Sequence, residues 1–177
     1  MADETTDFRR HVPNALTWIR LILAVVFPFA SVDMRFWVFV VAAVTEFGDG
    51  LLARRWNAVS RFGRILDPIA DKLFVLAVFG TLLWDGWIEP WEIAVVALRD
   101  LASTLGAGWV LLRHGRAPFY ALRPRTLGKL TTNLQFLLIL VVLLRHDAPL
   151  WLVVPTGALS AGAAVDYVRA AVRANRG

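Results

Sequence analysis

The chain has 177 residues, 58% hydrophobic and only 19% charged, with a net charge of +5 and no cysteine. A soluble domain is nearer half apolar and a quarter charged, so this composition describes one membrane domain over residues 1–177. It excludes disulfide and thiol chemistry. It also argues against nucleic acid as a partner, because the basic residues sit between apolar runs, the pattern that sets membrane topology.

Residues 1–12 are polar and acidic ahead of Arg9 and Arg10 and lack the basic start of a cleaved signal peptide. They read as a cytoplasmic segment leading into a retained span. About 20 mostly apolar residues cross the hydrocarbon core. Six stretches approach that length, over 15–31, 36–53, 66–84, 91–112, 127–144 and 150–172. The expected fold is therefore all-α, an integral membrane bundle of six transmembrane helices. One set of connections carries Arg54, Arg55, Arg61 and Arg64, then Arg113, Arg116, Arg123, Arg125 and Lys129, and Arg9, Arg10, Arg169, Arg173 and Arg176 extend it at the two ends. The alternate set carries Asp33, Arg35, Asp85, Glu89, Arg145 and Asp147. Excess positive charge marks the cytoplasmic side, which places both termini there, and Trp37, Trp84, Trp87, Trp91 and Trp151 gather at the opposite interface.

Four carboxylates interrupt the second and third spans at the cytoplasmic end: Glu46, Asp49, Asp67 and Asp71. Acids in such a setting mark a site. Spacings of three and four put each pair on one helical face. Gly50 and Ala53 leave that face bare for close approach, Gly63 sits between the helices, and Arg54 offers a fork suited to phosphate oxygens. Clustered carboxylates need cations to stay ionised, and an all-oxygen set selects Mg²⁺, Mn²⁺ or Ca²⁺ over zinc. Two such ions would clamp a diphosphate for in-line displacement at phosphorus, with one acid serving as general base. The plainer alternative is a proton relay, or acids paired with neighbouring arginines.

These residues resemble the signature of the CDP-alcohol phosphatidyltransferases, Asp-x-x-Asp-Gly-x-x-Ala-Arg, about eight residues, then Gly-x-x-x-Asp-x-x-x-Asp. Asp49, Gly50, Ala53, Arg54, Gly63, Asp67 and Asp71 agree, and Glu46 replaces the first Asp. The resemblance implies two bound Mg²⁺ or Mn²⁺ ions on Glu46, Asp49, Asp67 and Asp71, with Asp71 also the base. It implies CDP binding by Arg54 on the diphosphate and by Gly50, Ala53 and Gly63 around the cytidine. An acceptor hydroxyl would attack a CDP-linked lipid and release CMP. A homodimer in the inner membrane of a bacterium, in contact with its lipids, is likewise implied.

The flanks narrow the acceptor. Pro13-Asn14-Ala15-Leu16-Thr17 with Arg20 is similar to the opening of the phosphatidylglycerophosphate synthase and cardiolipin synthase branches, which adds Asn14 and Thr17 to the CDP site and Arg20 to its lining. The alternative for these residues is an interfacial helix start with a snorkelling arginine. Arg99-Asp100, inside the fourth span, reads as further lining or as a self-neutralising pair. Gly128-Lys129 followed by Thr132 and Gln135 resembles the synthase branch, where Lys129 with Arg123 and Arg125 would hold the phosphate of sn-glycerol 3-phosphate. The expected reaction is phosphatidyl transfer from CDP-diacylglycerol to sn-glycerol 3-phosphate. The alternatives are a cardiolipin synthase that uses phosphatidylglycerol, or a scaffold that Glu46 has silenced. No role is assigned to Asp166.

Overall fold

A computed structural model describes residue 15 and residues 17–56, 63–114 and 126–174. Every regular element among them is helical and none is a strand. The chain divides into two compact units, one ending at Asp85 and the other beginning at Gly86.

In the first unit, α1 covers residues 17–26 and tightens into a 3₁₀ turn at Phe27–Phe29. Pro28 inside that turn and extended backbone at Ala30 stop the helix. α2 (Val32–Trp56) and α3 (Gly63–Trp84) follow. Phe74 of α3 stacks on Phe39 of α2 at 6.1 Å and 19°, and Phe27 meets Phe74 edge-on at 6.1 Å. Offset stacks and edge contacts both suit the ring quadrupoles. Near the start of α2, Arg35 donates to Asp85 and, from Nε at 3.1 Å, to the Ala30 carbonyl. One guanidinium thus ties the end of the turn, the start of α2 and the residue after α3 together.

In the second unit, α4 (Pro90–Val96), α5 (Leu98–His114) and α6 (Thr126–Arg145) all pack against α7 (Leu150–Ala174). α7 buries Leu152, Val153, Thr156, Ser160 and Ala163, a stripe at helical spacing rich in small and hydroxyl side chains. Gly157 lets α4 approach so closely that a Cβ there would lie 2.2 Å from Val95 Cγ1. Small residues at such contacts are how helices associate where lipid removes the usual hydrophobic drive.

The expected continuous span over 91–112 is two helices, broken at Ala97. Ser160 inserts into the helix ladder there. Its hydroxyl donates to the Val96 carbonyl at 2.7 Å and accepts the Arg99 N–H at 2.9 Å. A side chain wedged into the i to i−4 bonds is an established cause of a helix break.

Two helical stretches are long and apolar enough to cross a membrane among the described residues, Leu127–Arg145 and Leu150–Arg169. The remaining helices also present large apolar side chains outward, including Ile22, Val44, Leu76 and Leu105. Trp37 and Trp84 are exposed at the Arg35 end of the first unit, and Trp91 and Trp151 at the starts of α4 and α7. Trp87 instead stacks on His146 at 4.2 Å.

Candidate active site

All four signature acids lie in the first unit. α2 carries positions 46, 49, 50, 53 and 54 along its last turns, and α3 carries 63, 67 and 71 in its first. The register follows from the Phe39–Phe74 stack. Seven residues on from Phe39 is Glu46, and seven back from Phe74 is Asp67. Seven residues are almost two full turns, so both positions return to the faces that meet at the stack, about 10 Å nearer the same end. Position 71 lies one turn from Phe74 on the same side.

Arg20 is the strongest feature of this end. It is 2% exposed, and its guanidinium donates to the half-buried Asp71 carboxylate. Thr17, one turn earlier on α1, is also buried. The expected lining residue Arg20 and the expected base Asp71 therefore form one pair, joining α1 to α3. Glu46 is half-buried on α2. The side chains of Asp49, Ala53, Arg54 and Asp67 and the surroundings of Gly50 and Gly63 lie outside what is described, as do Asn14, Arg123 and Arg125 altogether. Among the described residues no three metal-ligating side chains converge.

A second polar cluster lies in the second unit. Arg99 donates from Nε to Asp100 at 3.1 Å and from Nη2 to the same carboxylate oxygen. From Nη1 it donates to the Gly128 carbonyl at 2.6 Å and to Thr132 Oγ1. Asp100 accepts from Gln135 Nε2 at 3.1 Å, and Thr132 Oγ1 donates to the Gly128 carbonyl at 3.0 Å. Both partners of the Arg99–Asp100 pair thus reach from α5 to α6. Lys129 stands exposed beside the buried Gly128. In the sequence Gln135 and Thr132 stand out only as motif members, although a glutamine in an apolar helix is itself a signal. Ser160 gave none, since a lone serine on a small-residue stripe looks like packing.

Comparison with known proteins agrees with the signature. The family model for CDP-alcohol phosphatidyltransferase matches residues 10–165, so the chain belongs to that family. It is 34% identical over 123 residues to a cardiolipin synthase (CMP-forming) of Streptomyces coelicolor, covering 64% of this chain and 57% of the relative. It is 40% identical over 114 residues to a CDP-diacylglycerol–glycerol-3-phosphate 3-phosphatidyltransferase of Salmonella choleraesuis, covering 54% of this chain and 62% of the relative. A protein of the same name from Cereibacter sphaeroides is 33% identical over 141 residues, covering 75% of this chain and 63% of the relative. The match therefore spans about three fifths of the length of these curated relatives. No solved structure matches the chain.

Proposed function

We propose that this protein transfers a phosphatidyl group from CDP-diacylglycerol to sn-glycerol 3-phosphate and releases CMP. The carrying observation is the signature on two sequential helices. Asp49, Gly50, Ala53, Arg54, Gly63, Asp67 and Asp71 occupy prescribed positions at one end of α2 and α3, with Glu46 in register. Relatives named for this reaction, at 33% and 40% identity, support it.

In the transfer, the acceptor hydroxyl oxygen bonds to the β-phosphorus of CDP-diacylglycerol. The bond from that phosphorus to the bridging oxygen breaks, and CMP departs with the electron pair. Asp71 takes the hydroxyl proton, and Arg20 orients its carboxylate. Arg54 meets the diphosphate as a planar fork. Asn14 and Thr17 join Gly50, Ala53 and Gly63 around the cytidine, while Lys129 with Arg123 and Arg125 takes the acceptor phosphate.

Glu46, Asp49, Asp67 and Asp71 would hold two divalent ions. The donor set fits Mg²⁺ or Mn²⁺, being hard carboxylate oxygen throughout with no His or Cys. When bound, such ions neutralise the diphosphate and stabilise charge on the leaving oxygen.

The topology belongs to the same reading: six spans, both termini and the carboxylates on the cytoplasmic side of a bacterial inner membrane, and a homodimer. The charge asymmetry of the connections and the outward apolar side chains support the membrane placement. A second reading, phosphatidylglycerol as acceptor with cardiolipin as product, is favoured by the Streptomyces relative. CMP release by purified protein, with sn-glycerol 3-phosphate and phosphatidylglycerol offered separately, tests both. Release with the first alone supports the synthase, and release with the second alone replaces it with the cardiolipin reading.

A further inference from the structure

We propose that Arg99 and Asp100 are positioning residues that lock the first turns of α6 to α5 and so fix Lys129 for the acceptor phosphate. The acceptor half of this inference rests on the proposed function, while the lock itself rests on the hydrogen bonds alone.

A pair that merely cancelled its own charges would need no third partner. Here each member spends bonds on α6. Arg99 Nη1 grips the Gly128 carbonyl at 2.6 Å and Thr132 Oγ1, and Asp100 Oδ2 takes Gln135 Nε2 at 3.1 Å. The contacts run from Gly128 to Gln135, two turns of α6. The Gly128 carbonyl belongs to the peptide unit from which Lys129 springs, so the guanidinium holds the backbone at that residue. Gly128, Thr131 and Gln135 are buried and Lys129 is exposed. Rotating α6 to turn Lys129 elsewhere would strand these groups.

The anchor on the other side is equally fixed. The Arg99 N–H is held by Ser160 of α7 at 2.9 Å, so the break at Ala97 and the lock share one hydroxyl. Charged groups in a low-dielectric setting persist only when their hydrogen-bonding capacity is met, and a network so met is rigid. Lysine cannot replace this arginine, because a single ammonium lacks the planar fork that serves Asp100 and Gly128 together.

The chain has no native cysteine, which allows a direct test. Nitroxides are placed at Leu105→Cys on α5 and Leu130→Cys on α6, both exposed positions. Their distance distribution is read by electron paramagnetic resonance in the otherwise wild-type protein and with Arg99→Lys or Thr132→Val added. Should Arg99→Lys not fold, Thr132→Val carries the test, and Thr132→Ser is the rescue.

The expected result is a broadened distribution in both variants and a narrow one with Thr132→Ser. In kinetics, the KM for sn-glycerol 3-phosphate should rise at least about tenfold, since misplacing a binding group by about 1 Å can cost up to about 10²-fold. The KM for CDP-diacylglycerol should stay within about twofold, because the lock is on the acceptor side. An unchanged distribution overturns the lock. Broadening with equal change in both KM values overturns the acceptor role. Wild-type protein inactive with either acceptor overturns the proposed function instead, and the spin-label distances still decide whether Arg99 holds α6.

Discussion

Arg20 and Asp71, separated by 51 residues, meet as an ion pair whose two ends live in different environments. The arginine side chain is 3% exposed and the carboxylate 37%. Removing either partner is therefore not equivalent. Asp71→Ala takes a carboxylate partner from a buried guanidinium, and breaking a buried pair typically costs about 3–5 kcal/mol. Arg20→Met leaves a carboxylate that water already reaches and puts an apolar chain where the guanidinium was. The expected order of thermal stability in detergent is wild type, then Arg20→Met, then Asp71→Ala. Equal losses in the two variants would show that burial does not set the cost.

Catalytically the same pair predicts a different ranking. Asp71→Asn keeps the shape and an acceptor for Arg20 but cannot take a proton. General-base removal costs about 10²–10⁴-fold, so CMP release should fall by that much while the protein stays folded. A variant retaining more than about a tenth of the activity would remove Asp71 from the base role.

Two glycines on α7 provide a control on the packing. Gly157→Ala drives a methyl into Val95, where a Cβ would sit at 2.2 Å, whereas nothing lies within 4 Å of a Cβ at Gly162. Overpacking typically costs about 1–3 kcal/mol, and Gly→Ala inside an unobstructed helix gains about 0.5–1 kcal/mol. Melting temperature should therefore drop with Gly157→Ala and rise slightly with Gly162→Ala. A rise in both would mean that α4 does not press on α7 at this point.

The parts of this molecule that could be read from the sequence are those encoded locally. The length of each apolar run and the spacing of the acids within each pair, Glu46 with Asp49 and Asp67 with Asp71, are written in consecutive residues. The helices from Val32, Gly63, Thr126 and Leu150 accordingly begin within four residues of the expected spans. What escaped was long-range. No Gly or Pro marks the break at Ala97, because the cause is Ser160 on another helix. Arg20 was legible as a polar residue in an apolar run, but nothing local says that its partner is Asp71. Arg99 and Asp100 were visible as a charged pair, and only their hydrogen bonds to Gly128, Thr132 and Gln135 reveal that both reach to α6.

Under the proposed function, Lys129 is the residue that would separate the two acceptors. An ammonium on the monoester phosphate of sn-glycerol 3-phosphate makes a charge-assisted bond, and losing one costs about 1.5–3 kcal/mol. Lys129→Ala should raise the KM for that acceptor about tenfold to a hundredfold. CDP-diacylglycerol, which the proposal assigns to the signature residues, should be little affected. If the variant instead weakens both substrates alike, Lys129 serves the lipid interface or the topology and not the acceptor.

Glu46 is the one departure from the signature, and its effect follows from length. The extra methylene moves the carboxylate by about one carbon–carbon bond, roughly 1.5 Å, and a ligand to Mg²⁺ is held near 2.0–2.1 Å in strict octahedral geometry, whereas larger ions tolerate more variation. The side chain is half-buried on α2. Glu46→Asp should therefore leave CMP release similar or raise it, with the larger gain under Mg²⁺, because the shorter acid restores the tighter geometry. Chelation with EDTA should abolish release in both proteins, and either Mg²⁺ or Mn²⁺ should restore it. Titrating each ion against wild type and Glu46→Asp gives two activation curves. An unshifted activation midpoint for both ions, whatever the maximal rate, would mean that position 46 does not touch the metal. Loss of activity in the aspartate variant would mean that the site has been rebuilt around the longer acid, with α2 set back from α3 by the length of a methylene.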